Sequence, residues 1–238
     1  EYLAYPIWRI GIFSSLLSKI YKDDPLGIMI TASHNPHDQN GIKIFTKEGY
    51  LPQATERLLE KFVNLEDIHQ AFECFQNSFK VESLCNERGL VIIGRDTRDS
   101  GSNLLDIVKR SLLLFETPFI DCGICSTPML EFFRDKSTAM QNRSKEALFL
   151  HYRNLSIDIE KINMLTVKKG TTDDNLIIDC SNGAACVALS TLFTLERLSE
   201  AGIYLTNTTG KINDKCGSDY VCNRQSPPTC APEYKSDI

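Results

Sequence analysis

The segment from Gly27 to Phe45, GIMITASHNPHDQNGIKIF, places a serine, Ser33, beside His34 and brings Lys43 back ten residues later. A serine hydroxyl is a poor nucleophile at neutral pH unless a base or a field activates it. His34 is badly placed as that base, because adjacent residues on a strand or tight loop point apart, and no Gly-x-Ser-x-Gly elbow is present. The other chemistry open to Ser33 is to carry a phosphoryl group, which adds about −1.5 to −2 charges and three strong acceptor oxygens. Such a group calls for nearby donors and cations: His34, Lys43, backbone N–H groups and a hard divalent metal. Asn40-Gly41 reads as a turn dipeptide tolerant of positive φ, and Asn35-Pro36 as a sharp bend, so the loop can be fixed in shape. On these generic features alone, a plain hairpin with polar turn residues remains an alternative.

A second charged cluster is Gly94-Arg95-Asp96-Thr97-Arg98. Arg95 and Arg98 suit either support of the serine loop or structural ion pairs, and Asp96 suits pairing or capping better than catalysis. The nine cysteines are an odd, scattered set. They fit reduced thiols in a cytoplasmic protein better than a disulfide framework. Cys122 and Cys125 form one CxxC with no second pair at zinc-ribbon spacing, which favours structural thiols over a metal site.

The elements that would position these residues alternate. Apolar residues recur at helical spacing from Tyr5 to Tyr21 and stop at Asp23-Asp24-Pro25, predicting a helix that feeds the strand Gly27 to Thr31. Ile42 and Lys43 open a second strand, and helices are expected over Thr55 to Val63 and Leu65 to Phe79. Leu90 to Gly94 predicts a strand, followed by a helix to about Phe115 capped by Asp99, Ser100 or Ser102. Pro118 to Cys122 predicts another strand, and Ser126-Thr127-Pro128 another helix start. This order argues for an α/β domain with a largely parallel, partly mixed sheet sandwiched by helices, its functional loops at the strands' carboxyl ends. A boundary is expected near Gly170, giving a domain over 1–170 and the beginning of a second α/β domain over 171–238. In the latter, strands are read at Asn175 to Asp179 and Gly202 to Thr206, with a helix at Ala184 to Leu198.

Composition bounds the partners. With 42% hydrophobic and 24% charged residues, the 238-residue chain is ordinary globular material. A net charge of −5 and the lack of any Lys/Arg-rich run argue against nucleic acid. No apolar run approaches the ~20 residues of a membrane span.

Thr31-Ala32-Ser33-His34-Asn35-Pro36 followed by Asn40-Gly41-Ile42-Lys43 resembles the phosphoserine signature of the α-D-phosphohexomutases, TASHNP then NGxK. Gly94 to Arg98 resembles the family's GRDTR element, Ser126 to Pro128 its TTP-type loop, and Asp179 to Gly183 its D-x-(A/S)-N-G strand end. The order of these motifs, and the similarity of Ile212-Asn213 and Cys216 to Val221 to an LN…CGADFV segment, narrow the resemblance to the branch acting on N-acetylglucosamine phosphates. Ser218 and Tyr220 stand where that segment has Ala and Phe. The resemblance implies interconversion of N-acetylglucosamine 6-phosphate and 1-phosphate through a bisphosphosugar, which also serves as activator. Phospho-Ser33 would carry the group and ligate Mg²⁺. His34 and Lys43 would handle protons or charge, with an ordinary strand-end role the alternative for Lys43. Asn35, Asn40, Arg95 and Arg98 would support loop and substrate. A glucose- or mannose-specific mutase and a non-catalytic binding or regulatory form are the competing readings. The family's DGDxDR loop, whose three aspartates complete the Mg²⁺ site, has no counterpart in the sequence. The polypeptide is therefore expected to be the front part of a longer enzyme and inactive alone.

Overall fold

The run LGIMI at residues 26–30 is apolar on both sides, a pattern that suits a strand covered on both faces. In the computed structural model it forms β1 (Leu26–Ile30), buried throughout and central in a five-stranded sheet. The structure describes residues 3–32, 35, 39–84, 87–139, 144–154, 176–180, 182–192, 198, 203–209 and 212–213. The other strands are β2 (Ile42–Thr46), β3 (Gly49–Tyr50), β4 (Val91–Arg95) and β5 (Phe119–Ile124), in the order β3-β2-β1-β4-β5. β1, β4 and β5 are parallel, whereas β1-β2 and β2-β3 are antiparallel, so the sheet is mixed. The short Ile30-to-Ile42 connection explains the switch, since a parallel return needs a crossover of a dozen or more residues.

Alternation along the strands sorts two cores. Leu26, Ile28, Ile30, Val91 and Ile93 face α1 (Ala4–Tyr21), α2 (Gln53–Asn64), α3 (Ile68–Phe79) and α4 (Gly101–Leu114). Met29, Ile92, Ile120 and Cys122 face α5 (Thr127–Ala139) and α6 (residues 145–154). This gives an α/β/α sandwich, with the Phe13 ring meeting Phe62 and Phe75 edge-on at 5.4 and 5.3 Å in the first layer. The sequence boundaries in this sandwich shift by up to three residues, the largest being the start of α3 at Ile68 rather than Leu65.

α1 is buried at every residue from Gly11 to Lys19, polar ones included. Among them, Ser15 bonds Thr117 at 2.5 Å and Lys19 Nζ donates to the Phe115 carbonyl at 3.0 Å, whereas the buried Ser14 hydroxyl has no partner. Gly11 lets α4 approach, because a Cβ there would lie 2.6 Å from Ser111 Cβ. Arg9, fully buried, donates to the carbonyls of Phe62 (3.0 Å), Leu65 (2.8 Å) and Glu66 (3.1 Å). One guanidinium thereby satisfies carbonyls that the end of α2 leaves without helical partners, and its charge suits that negative helix end.

β5 carries one extra residue where the register shifts opposite Ile93 and Arg95, with Gly123 at φ +69°. The bulge delivers the Cys125 N–H to the Arg95 carbonyl at 2.9 Å. Beyond the sandwich, β6 (Leu176–Asp179) and β7 (Ile203–Thr206) form a parallel pair, with α7 (Ala184–Leu192) between them in sequence. The α7 residue Ala188 packs against the α5/α6 core. The boundary expected near Gly170 lies outside the described residues.

Replacing Arg9 by Met keeps the apolar stem and strands three carbonyls, an expected loss of about 3 kcal/mol. Urea unfolding measures it, and a change below about 1 kcal/mol would show that Arg9 is not a principal tie between α1 and α2.

Candidate active site

Because β1 and β4 are parallel neighbours, with Ile30 paired to Arg95, the loops leaving their carboxyl ends emerge on the same edge of the sheet. The first carries Ser33, and the second is Asp96-Thr97-Arg98. Ser33 and His34 themselves lie outside the described residues, as do Pro36, His37 and Asp38. The flanking residues are described, and the second loop grips them.

Asp96, buried, accepts from the Thr31 hydroxyl at 2.8 Å, from the Arg98 backbone N–H at 3.0 Å, and from the Arg98 guanidinium in an ion pair. Arg98, also buried, turns its other terminal nitrogen to the Asn35 carbonyl at 2.8 Å. Asn35 N–H returns to the Ala32 carbonyl at 2.7 Å, and Asp96 N–H is held by the Ile30 carbonyl at 3.0 Å. The chain is thus held before Ser33, at Ile30 and Thr31, and after His34, at Asn35, by one two-residue brace.

Asn40 does not use the positive φ expected of a turn asparagine, nor does Gly41. The Asn40 amide acts through its side chain instead, donating to Ser100 Oγ at 3.0 Å and accepting from Gly41 N–H at 2.9 Å. Thr31 N–H then donates to the Gly41 carbonyl at 3.0 Å. Ser100 precedes α4 but makes no side-chain cap, its backbone being already helical at φ −67°, ψ −19°. Arg95 donates to the Asp96 carbonyl at 3.1 Å. Lys43 is half-buried on β2, opposite Met29. Ser126 Oγ accepts from Met129 N–H at the start of α5.

The described residues do not form a metal cage: no group of three or more His, Cys, Asp or Glu could hold an ion among them. Asp96, the carboxylate next to the loop, is spent on Arg98 and Thr31. Cys122 and Cys125 are buried free thiols within the α5/α6 core. Burial, with Cys125 adding to it, pushes the Cys122 thiol up, and burial pushes the Cys125 thiol up to about 12 from its ordinary 9.0. Thiols held protonated in this way are poor nucleophiles and poor metal ligands.

Sequence reading gave no separate role to Thr31, Thr97 and Asn213, and it read Ser100 only as a possible helix cap. Thr97 Oγ1 donates to Asn213 Oδ1 at 2.7 Å, and Asn213 Nδ2 donates to the Thr97 carbonyl at 2.6 Å. The one available signal was that Thr97 lies inside the charged motif and Asn213 inside the LN segment.

The mixed sheet between helical layers is the fold shared with solved members of the α-D-phosphohexomutase superfamily. Aspergillus fumigatus N-acetylphosphoglucosamine mutase in complex with GlcNAc-6P and magnesium matches it with a TM-score of 0.74 at 24% identity, over 99% of this chain and 44% of that one. The enzyme from the same fungus in complex with glucose 1,6-bisphosphate matches with a TM-score of 0.74 at 23% identity, over 97% and 43%. The family model for phosphoglucomutase/phosphomannomutase, alpha/beta/alpha domain I, matches residues 16–70 and 56–141, together more than half of the sequence. The chain belongs to the phosphoglucomutase/phosphomannomutase family. Phosphoacetylglucosamine mutase 1 of Schizosaccharomyces pombe is 31% identical over 239 residues, covering 95% of this chain and 44% of that protein. The chain thus spans less than half the length of the curated relatives it matches.

Asp96→Ala leaves the Arg98 guanidinium buried without its counter-charge and is expected to cost about 3–5 kcal/mol. Urea unfolding reads this, and a stability equal to the parent's would show that the brace carries no net energy. The two buried thiols set an alkaline limit. Their folded-state ionisation lies above the ordinary 9.0, so their contribution is full below about pH 9 and is lost as pH rises through about 12. The unfolding midpoint should accordingly fall above about pH 9, and iodoacetamide at about pH 8 should leave both thiols unmodified in the folded protein. Rapid native modification of either would contradict their burial.

Proposed function

We propose that the chain is the serine-bearing part of a phosphoacetylglucosamine mutase, which interconverts N-acetylglucosamine 6-phosphate and N-acetylglucosamine 1-phosphate. The observation that supports this most is the Asp96–Arg98 brace, which fixes Thr31 and Asn35 on either side of Ser33 and His34. A covalent phosphoryl carrier needs a nucleophile held at a defined place, because positioning supplies much of the rate in phosphoryl transfer. A hydrolytic serine would need a base in register with it, which the sequence does not offer.

In this reading a hydroxyl of the sugar phosphate attacks the phosphorus of phospho-Ser33. The new P–O bond forms as the serine P–O bond breaks, and the hydroxyl proton leaves to a base. The resulting bisphosphosugar turns over and returns its other phosphoryl group to Ser33, so no phosphate is consumed. Lys43 and His34 neutralise charge or move that proton. Asn35, Asn40, Arg95 and Arg98 hold the loop rather than touch the reacting atoms. The relative from A. fumigatus binds magnesium, and a metal there supplies Lewis-acid charge neutralisation. The residues described here do not make its cage, so no step is assigned to it. Five cysteines are free among the described residues, and no described helix is long and apolar enough to cross a membrane. The free thiols support the cytoplasmic placement.

The test is phosphopeptide mapping of the intact protein after incubation with glucose 1,6-bisphosphate, together with turnover of Ser33→Ala. Phosphate on Ser33 and abolished turnover are expected. Phosphate at another residue, or a fully active Ser33→Ala protein, would sink the reading.

A further inference from the structure

Three asparagines stand just beyond the carboxyl ends of β6 and β7, and all three are left-handed: Asn182 at φ +46°, Asn207 at φ +52° and Asn213 at φ +66°. Asparagine tolerates that region better than other residues with a side chain, so each bend comes at modest cost. The bends are bonded in series. Asn182 N–H donates to the Asn207 carbonyl at 2.7 Å, Asn213 N–H donates to the Asn182 carbonyl at 2.8 Å, and the Asn207 amide donates to Asp179 Oδ1 at 2.9 Å. The last member reaches out of the β6–β7 unit. Asn213 exchanges two hydrogen bonds with Thr97, one to its hydroxyl and one to its carbonyl.

Thr97 is the residue between Asp96 and Arg98. Its neighbours on either side hold Thr31 and Asn35, while its own polar groups are held by Asn213. A two-point clasp on both the side chain and the backbone fixes the orientation of the peptide, which a single bond would leave free to rotate. The hydrogen-bonded contact therefore runs without interruption from the β6–β7 strand ends to the residues flanking Ser33.

We propose that Asn213 is a positioning residue, through which the β6–β7 unit sets the geometry of the Asp96–Arg98 brace and so the placement of Ser33. Its effect on turnover rests on the reading of Ser33 as phosphoryl carrier, whereas its effect on the brace does not. Asn213 touches no reacting atom in this scheme. It limits the freedom of the brace, so its loss slows the chemical step more than it weakens substrate binding.

Asn213→Gly removes the clasp and keeps a residue that accepts φ +66° without strain. In hydrogen-exchange mass spectrometry of this chain, we expect the amides of Arg98 and Asn35 to exchange about tenfold faster, with those of Ile28 and Ile93 in the sheet unchanged. In the intact protein, kcat should fall about tenfold with KM within about twofold, and Asn213→Asp, which keeps the acceptor for the Thr97 hydroxyl, should recover part of it. Unchanged exchange at Arg98 and Asn35 overturns the proposal, as does unchanged kcat in a protein whose Ser33 is phosphorylated. If Asn213→Gly also speeds exchange in the sheet, Thr97→Val is the deciding variant. It removes the clasp's hydroxyl from the other side and must still speed exchange at Arg98 and Asn35 alone, and parent-like exchange there overturns the proposal. Absence of phosphate on Ser33 in the parent counts against the carrier reading and leaves the exchange result standing.

Discussion

The buried carboxylate of Asp96 is the constraint on which the candidate site depends. A carboxylate taken out of water is tolerated only when its lone pairs are filled and its charge is met, and here Arg98 does both while Thr31 and the Arg98 backbone take the remaining positions. Such a pair contributes little to stability compared with a well-packed apolar substitute. What it provides is directional: two strand ends and one loop can satisfy it in only one arrangement. The ends of β1 and β4 and the residues Thr31 and Asn35 are held by the same few hydrogen bonds.

Topology makes that arrangement reachable. Parallel pairing of β1 with β4 brings the carboxyl ends of both strands to one edge, so residues 65 positions apart, Thr31 and Asp96, become hydrogen-bond partners. The antiparallel β2 then returns the chain beside β1, placing Lys43 one pair below the loop. Gly94 keeps the edge compact. A Cβ there would lie 2.5 Å from Cys125 Sγ, so the β4–β5 contact that carries Cys125 N–H to Arg95 depends on its absence.

Much of this was legible in the sequence because period and composition act locally. The apolar run Gly27 to Thr31 announced the central strand, and the apolar spacing of residues 5–21 announced α1. The antiparallel step at β2 was legible as a hairpin, because the polar turn residues between Gly27 and Phe45 leave a connection too short for a parallel crossover. The misread residues were those whose polar groups are used over long sequence distances. Ser100 has the composition of a helix cap, yet its hydroxyl serves Asn40, 60 residues earlier, and Asn40 has the composition of a turn, yet works by its amide. Local propensity ranks what a residue does with its own backbone. It carries no information about a partner that only the fold supplies.

The same limit bears on how charge is distributed near Ser33. The arginine of a basic motif beside a phosphoserine-like loop invites assignment to the phosphate, but Arg98 is already neutralised by Asp96 and directed at the Asn35 carbonyl. Its two terminal nitrogens cannot also meet a developing dianion without giving up the brace, at a cost of several kcal/mol for the uncovered carboxylate, and the nitrogen left without a partner, Nε, is buried. Position and charge compensation are therefore tasks for different cations. Arg98 fixes Asn35, the residue that follows Ser33 and His34 in the chain, and in the proposed reading charge neutralisation falls to groups without a buried counter-ion of their own, in a protein whose net charge of −5 offers no general attraction for phosphate.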